Sequence, residues 1–598
     1  ELYDGSASIT LIFFHFYPNY LTQYQIGKRI RAFGEIKVDF LGNKTIIHPK
    51  VRTVTEENAQ LMKTFSPIYS IVAGLNQGHL VKIIDSALTF PILETLPNNI
   101  LQQYNLLQLS DALRVLHKLT PAEFEDKLHL KALGRLKLDE LIAQQLIMYK
   151  AYQKKHNNSS FSLKSTGRFT DQLLKLLPFK LTKAQERVKH EIFNDLAKPT
   201  QMNRLLQGDV GSGKTIIALL TMLVAVENGF QACIIAPTEI LAEQHYLKIK
   251  SLLEQLSISC IWLAGSLNEK SKIYKKIEEG AAQIVVGTHA VFQKNVVFKN
   301  LALIVIDEQH RFGVDQRLLL QNKGHNPHQL MMSATPIPRT LAMSYFADLD
   351  VSNIDELPPG RTPIKTLLIN NKRRREVIDF IIKECNNKRQ IYWVCPLIEE
   401  SEKLDLQNAI DTYNELTDLL KPISIGLIHG RLNYQEKALI MDKFVKAEIQ
   451  VLVATTVIEV GVDVPNASIM VIEHSERMGL SSLHQLRGRV GRGSVDSQCI
   501  LLYQNALSDL AKRRLKVIFE NNDGFKIAQE DLLIRGPGEL LGSRQSGLPN
   551  LRFASLEYDL ELLKIAKIIA KIMINDYPEL AATHTKLWFS NHEHFLNV

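Results

Sequence analysis

The chain has 598 residues, too many for one compact core and enough for roughly three to five domains of ordinary size. Hydrophobic residues make up 45% and charged residues 22%, which excludes a wholly disordered, collagen-like or coiled-coil chain. Lys plus Arg number 71 against 63 Asp plus Glu, a formal +8 that fits an anionic partner without demanding one. The five cysteines (Cys233, Cys260, Cys385, Cys395, Cys499) form no C-x-x-C pair, which argues against a disulfide framework or zinc ribbon and points to a reducing cytoplasm. The longest apolar run, Ile216 to Val226, is broken by Thr221 and too short to span a bilayer, so a soluble protein is expected. Glu1-Leu2-Tyr3 has neither an initiator methionine nor a basic run, and reads as a truncated start rather than a signal peptide.

Residues 1–60 hold three strand-like runs, Ile9 to Phe14, Arg29 to Val38 and Lys44 to His48, separated by glycines; they predict a small antiparallel barrel or sheet. Residues 61–170 turn helical, with apolar residues three and four apart in Asp111 to Leu116 and Leu138 to Ile142, and predict a connector. Beyond the polar stretch Lys154 to Ser165, apolar strands alternate with helices, the βαβ signature of a parallel sheet. Two such blocks follow, 171–350 and 351–510, the second opened by the turn Leu357-Pro358-Pro359-Gly360-Arg361. Residues 511–598 open on a basic helical segment and contain the glycine-dense loop Arg535-Gly536-Pro537-Gly538.

The first block carries Gly208-Asp209-Val210-Gly211-Ser212-Gly213-Lys214-Thr215, which fits G-x-x-x-x-G-K-T between a strand and a helix. Its glycines let backbone N–H groups wrap a phosphate at a helix N-terminus. Lys214 would neutralise the β/γ-phosphates of ATP and Thr215 would hold Mg²⁺. Such a site also needs a carboxylate for the metal and a group to activate water, and Asp307 and Glu308 supply both at the end of the apolar strand Leu303 to Ile306.

Asp307-Glu308-Gln309-His310 resembles the D-E-x-H box of superfamily 2 helicases, and further boxes follow in their usual order. That resemblance implies that Phe179 stacks on adenine and Gln185 pairs with its edge. It implies that Ser333-Ala334-Thr335 couples hydrolysis to DNA, and that Gly461 and Asp463 line the nucleotide cleft. Gln485-Leu486-Arg487-Gly488-Arg489-Val490-Gly491-Arg492 resembles the arginine-finger box, so Gln485, Arg489 and Arg492 join Lys214, Asp307, Glu308 and His310 as candidate catalytic residues. Arginine suits the finger role because its planar donors stabilise charge that develops on the phosphates.

Asp307 to Val314, Ser333 to Thr340, Ile354 to Pro363 and Asp531 to Gly547 resemble the RecG branch, the branch-migration helicases of DNA repair. The expected fold is multidomain α/β: two RecA-like parallel-sheet motor domains, an oligonucleotide-binding barrel or wedge with its connector before them, and a small translocation region after. Three visible strands fall short of a five-stranded barrel, so the wedge is expected to be partial. The resemblance places DNA contacts at the wedge aromatics Phe14 and Tyr17, at Thr238, Thr288 and Thr455 in the motor boxes, and at Arg514, Arg535 and Gln545 in the translocation motif. It implies a monomeric, cytoplasmic translocase that uses ATP and Mg²⁺ on forks and Holliday junctions, with a single-stranded-DNA-binding protein as a candidate partner. An ATP-switched junction binder and a translocase like the transcription-repair coupling factor, which shares the translocation motif, are the alternatives.

Overall fold

The computed structural model describes the chain apart from residues 15–23, 39–41, 55–63, 72–73, 157–158, 266–269, 309–322, 335–348, 359–362, 397–401, 456–463, 465, 492–494, 505, 536–550, 556–557 and 590–598. The chain divides into two compact units, Glu1–Glu94 with Asn98–Leu136, and Thr95–Pro97 with Lys137–Val598. The division falls inside the long helix Leu128–His156, whereas the sequence pattern places boundaries near 60 and 170.

Among the described residues the first unit starts with six short strands: β1 (Leu2–Tyr3), β2 (Ser8–Ile12), β3 (Ile30–Phe33), β4 (Ile36–Val38), β5 (Lys44–Ile47) and β6 (Lys50–Thr53). They form a four-stranded sheet in the order β1-β2-β5-β4 and a ribbon of β3 with β6. The predicted run Arg29 to Val38 is two strands, broken at Gly34, where a Cβ would lie 2.4 Å from Ile46 Cγ2. The expectation of an antiparallel sheet fails at one pairing, since β2 runs parallel to β5. More than thirty residues separate the two, so no tight hairpin dictates their relative direction. Short helices follow, among them Gln77–Ala87 and Leu109–His117. At the base of this unit the fully buried Arg135 holds Glu94 with a 2.7 Å ion pair, and Glu94 in turn accepts the Leu109 N–H at 2.8 Å.

The second unit contains both predicted α/β blocks. Strands β7 (Asn203–Gly208), β8 (Gln231–Ile235), β9 (Cys260–Leu263), β10 (Ile284–Gly287), β11 (Leu301–Ile306), β12 (His328–Ser333) and β13 (Asp350–Ile354) form an all-parallel sheet in the order β13-β7-β12-β11-β8-β10-β9. Strands β14 (Lys365–Asn370), β15 (Gln390–Val394), β16 (Ile425–Ile428), β17 (Val451–Ala454), β18 (Ala467–Ile472) and β19 (Gln498–Tyr503) form the second, in the order β14-β19-β18-β15-β17-β16. Every residue of β8, β11 and β18 is buried, as expected of strands covered by helices on both faces. Because the strands are parallel, their C-terminal ends collect along one edge of each sheet, where such folds place their sites. The cysteines are free thiols, and burial pushes Cys385, Cys395 and Cys499 up to about 12.

From Leu138 to Met148 the long helix is buried on every side, so it has no solvent face. Its Glu140 accepts the backbone N–H groups of Arg552, Phe553 and Ala554 at 2.6, 2.8 and 2.9 Å. Lys137 pairs with Asp559 at 2.9 Å, and His584 bridges the Thr95 hydroxyl at 2.7 Å and the Asp139 carbonyl at 2.9 Å. The C-terminal region is thus docked on this helix through helices Leu560–Asp576 and Pro578–Trp588. Among the described residues no helix is long and apolar enough to cross a membrane.

Candidate active site

The phosphate loop leaves β7 at Gly208 and enters helix Lys214–Glu227. Gly213 sits at φ +92°, where an L side chain is strained, and a Cβ there would meet Gln185 Nε2 at 2.3 Å. The buried Lys214 ammonium donates to the carbonyls of Gly208 and Asp209 at 2.8 and 2.9 Å, so a positive charge is held at the centre of the loop. Among the described residues buried Ser212 Oγ has no hydrogen-bond partner, a polar group available to an incoming ligand.

Gln185, which the resemblance pairs with the adenine edge, is engaged by two backbone groups. Its Oε1 accepts the Thr182 N–H at 2.9 Å, closing a capping box on helix Lys183–Leu196, and its Nε2 donates to the Ser212 carbonyl at 2.8 Å. The amide therefore braces the phosphate loop. Phe179 is 46% exposed, leaving its ring accessible for stacking.

Asp307 and Glu308 leave β11 two strands away from β7, with the Ser333 end of β12 between them. Asp307 donates its N–H to the Ile235 carbonyl at 2.8 Å, and its buried carboxyl meets His245 Nε2 at 2.8 Å. Burial alone would raise the Asp307 carboxyl, but the His245 hydrogen bond, the His245 charge and the Lys214 charge together hold it below the ordinary carboxylate value. It stays an anion, as a metal ligand must. Glu308 has φ +51°, a left-handed backbone uncommon outside glycine, and its N–H donates to Asp307 Oδ1 at 3.1 Å.

The second block approaches through helix Leu480–Arg487. His484 Nε2 lies 2.7 Å from Asp209 Oδ1 of the phosphate loop. Gly488 packs so closely that a Cβ would lie 2.8 Å from Val210 Cβ. Gln485 is buried and Arg489 half-buried immediately beside this junction.

Of the expected DNA contacts, Thr238 caps helix Glu239–Gln255 by accepting the Leu241 N–H at 3.4 Å. Thr288 and Thr455 are buried rather than presented on the surface, because each closes the tightly packed end of a central parallel strand. Arg514, a polar position of the translocation motif, donates from its terminal nitrogens to the carbonyls of Met478 and Glu476, both at 3.0 Å, fastening helix Asp509–Glu520 to the second motor. Phe14 is 65% exposed, with its edge against His48. Tyr17, His310, Gly461, Asp463, Arg492 and Gln545, and the side chain of Arg535, lie outside the described residues.

Family models match along the second unit: DEAD/DEAH box helicase over residues 182–344, helicase conserved C-terminal domain over 372–494, and ATP-dependent DNA helicase RecG, domain 3, C-terminal, over 521–593. A curated ATP-dependent DNA helicase RecG of Haemophilus influenzae is 47% identical over 615 residues, which take in 100% of this chain and 88% of the relative. The chain belongs to the RecG family of ATP-dependent DNA helicases. The RecG of Escherichia coli strain K12 is 45% identical, with 100% of this chain and 88% of the relative covered. A solved structure described as RecG bound to a three-way DNA junction is 38% identical, covers 94% of this chain and 74% of that chain, and superposes with a TM-score of 0.63. The two parallel sheets are therefore the RecA-like motor domains of a RecG-type helicase.

His245 and His484 each bond a carboxylate of the candidate site, although no motif named above marks either as a candidate. His484 adjoins the arginine-finger box, and that adjacency is the signal that could have drawn attention to it.

Proposed function

We propose that this RecG-family helicase converts ATP hydrolysis between its two motors into movement along duplex DNA, and so remodels branched DNA such as forks and Holliday junctions. The observation that carries the reading is the 2.7 Å contact between His484 and Asp209, which sets the arginine-finger helix of one motor against the phosphate loop of the other. Lys214 and the loop N–H groups would hold the phosphates, Thr215 and Asp307 would hold Mg²⁺, and Glu308 would orient water. Bound Mg-ATP supplies the phosphoryl group and the metal charge. Arg489 and Arg492 would reach the γ-phosphate when the cleft closes, so that each turnover changes the relation of the motors.

The likeness to a RecG bound to a three-way junction supports branched DNA as substrate. Exposed Phe14 would offer a base-stacking ring at the wedge, with Tyr17 beside it in sequence. Arg535 and Gln545 would carry the translocation loop's polar contacts. The reading takes a cytoplasmic monomer as the working unit, with a single-stranded-DNA-binding protein as a candidate recruiter. The test is ATP-driven conversion of a synthetic fork compared with a plain duplex and an RNA duplex. Selective fork conversion is expected; fork-stimulated hydrolysis without conversion would instead mark an ATP-switched binder.

A further inference from the structure

A carboxylate on a phosphate-binding loop needs a reason, because it sits where several phosphate charges are to be held. Asp209 occupies that place, yet its Oδ1 is turned to His484 Nε2 on the second motor, 2.7 Å away, while also accepting the Val210 N–H at 2.6 Å. The other ring nitrogen of His484 fixes the sense of this bond. Arg487 Nη2 lies 3.1 Å from His484 Nδ1, and a guanidinium can only donate, so Nδ1 is the acceptor and Nε2 carries the proton offered to Asp209. Arg487 is itself buried and seated, donating to the carbonyls of Ile518 and Asn521 at 2.8 and 2.9 Å. Two glycines make room: a Cβ at Gly488 would press on Val210, and one at Gly524 would lie 2.7 Å from His484 Nε2 and 3.2 Å from Asp209.

We propose that His484 is a positioning residue that acts through Asp209, holding the helix before Arg489 in register with the phosphate loop so that the finger meets the γ-phosphate. The inference rests on the arginine-finger reading of Arg489. Its geometry predicts an effect on turnover rather than on nucleotide affinity, since His484 touches the loop's side chain and not its phosphate-binding N–H groups.

The test is steady-state ATP hydrolysis by the full chain with fork DNA, for His484→Ala, Asp209→Ala, the double variant, His484→Gln and Arg489→Ala. His484→Ala and Asp209→Ala should each lower kcat about tenfold without raising KM for ATP more than about twofold. The double variant should also lose about tenfold, because the partners act as one unit. His484→Gln should recover at least half of the rate, since its amide can donate to the same carboxylate. A multiplicative loss of about a hundredfold in the double variant would overturn the proposal. So would a His484→Ala or Asp209→Ala rate within twofold of the parent, and should His484→Ala not fold, Asp209→Ala decides alone. Arg489→Ala separates the two readings: intact hydrolysis there sinks the finger assignment, whereas its loss beside an unaffected His484→Ala sinks the positioning role of His484 alone.

Discussion

His245 Nε2 stands 2.8 Å from Asp307 Oδ2, and the pair is buried at the C-terminal end of β11 in the first motor sheet. A carboxylate proposed to hold Mg²⁺ is thereby oriented by a neighbour on helix Glu239–Gln255. Outer partners of this kind typically change metal affinity or activity by about 10–100-fold when removed. His245→Ala should therefore raise the Mg²⁺ concentration needed for half-maximal ATP hydrolysis by at least about tenfold, with partial recovery in excess Mg²⁺. An unchanged Mg²⁺ titration would show that His245 only fills space.

Lys214 is the central cation of the phosphate loop, held by two carbonyls of that loop. Lys214→Ala should reduce ATP hydrolysis by about 10²-fold or more, the scale on which a lost electrostatic stabiliser acts. Circular dichroism should remain that of the parent. Undiminished turnover in the purified variant would remove the nucleotide site from this loop.

Glu140 ties three consecutive backbone N–H groups, those of Arg552 to Ala554, to the long helix. Charge-assisted bonds of this type contribute roughly 1.5–3 kcal/mol. Glu140→Ala should lower unfolding stability by about that amount and speed proteolytic cleavage of the C-terminal region. Glu140→Gln, which retains an acceptor oxygen, should fall between the two. Equal cleavage rates in all three proteins would show that the C-terminal region is held by its other contacts.

Glu227 at the end of the phosphate-loop helix accepts the N–H groups of Thr166, Phe169 and Thr170 at 2.7, 2.8 and 2.9 Å. Burial would raise its carboxyl, but the Thr170, Thr166 and Phe169 bonds outweigh that and lower it. A lowered folded value means that this stabilisation is present above the ordinary glutamate value of about 4.3 and is lost as pH falls through the folded value. Glu227→Gln should be about 1–3 kcal/mol less stable at neutral pH, the difference shrinking below about pH 4. A pH-independent difference measured by chemical denaturation would show that the charge contributes nothing.

The nucleotide residues were legible because their chemistry is local. A phosphate loop needs its glycines and lysine within eight consecutive positions, and Asp307 and Glu308 end an apolar strand that the six-residue run Leu301–Ile306 already declares. The two parallel-sheet motors were legible for the same reason, since doubly covered strands are continuous apolar runs separated by helical periods. Short strands at the N-terminus were harder. Two to five residues carry little periodicity, and neither the break at Gly34 nor the parallel β2–β5 pairing has a local signature.

Length and composition left only several domains and an unforced basic excess. Motifs then pointed to a nucleotide site, because phosphate chemistry restricts residue type at fixed spacing, and their resemblance to superfamily 2 boxes implied a helicase motor. Only the tertiary structure decided that Gln185 braces the phosphate loop, that Arg514 fastens a helix, that Glu140 anchors the C-terminal region, and that His245 and His484 serve carboxylates. These are pairings between residues 27 to more than 400 positions apart. A side chain's partner at such separation is chosen by packing and sheet order, which no local window of sequence contains.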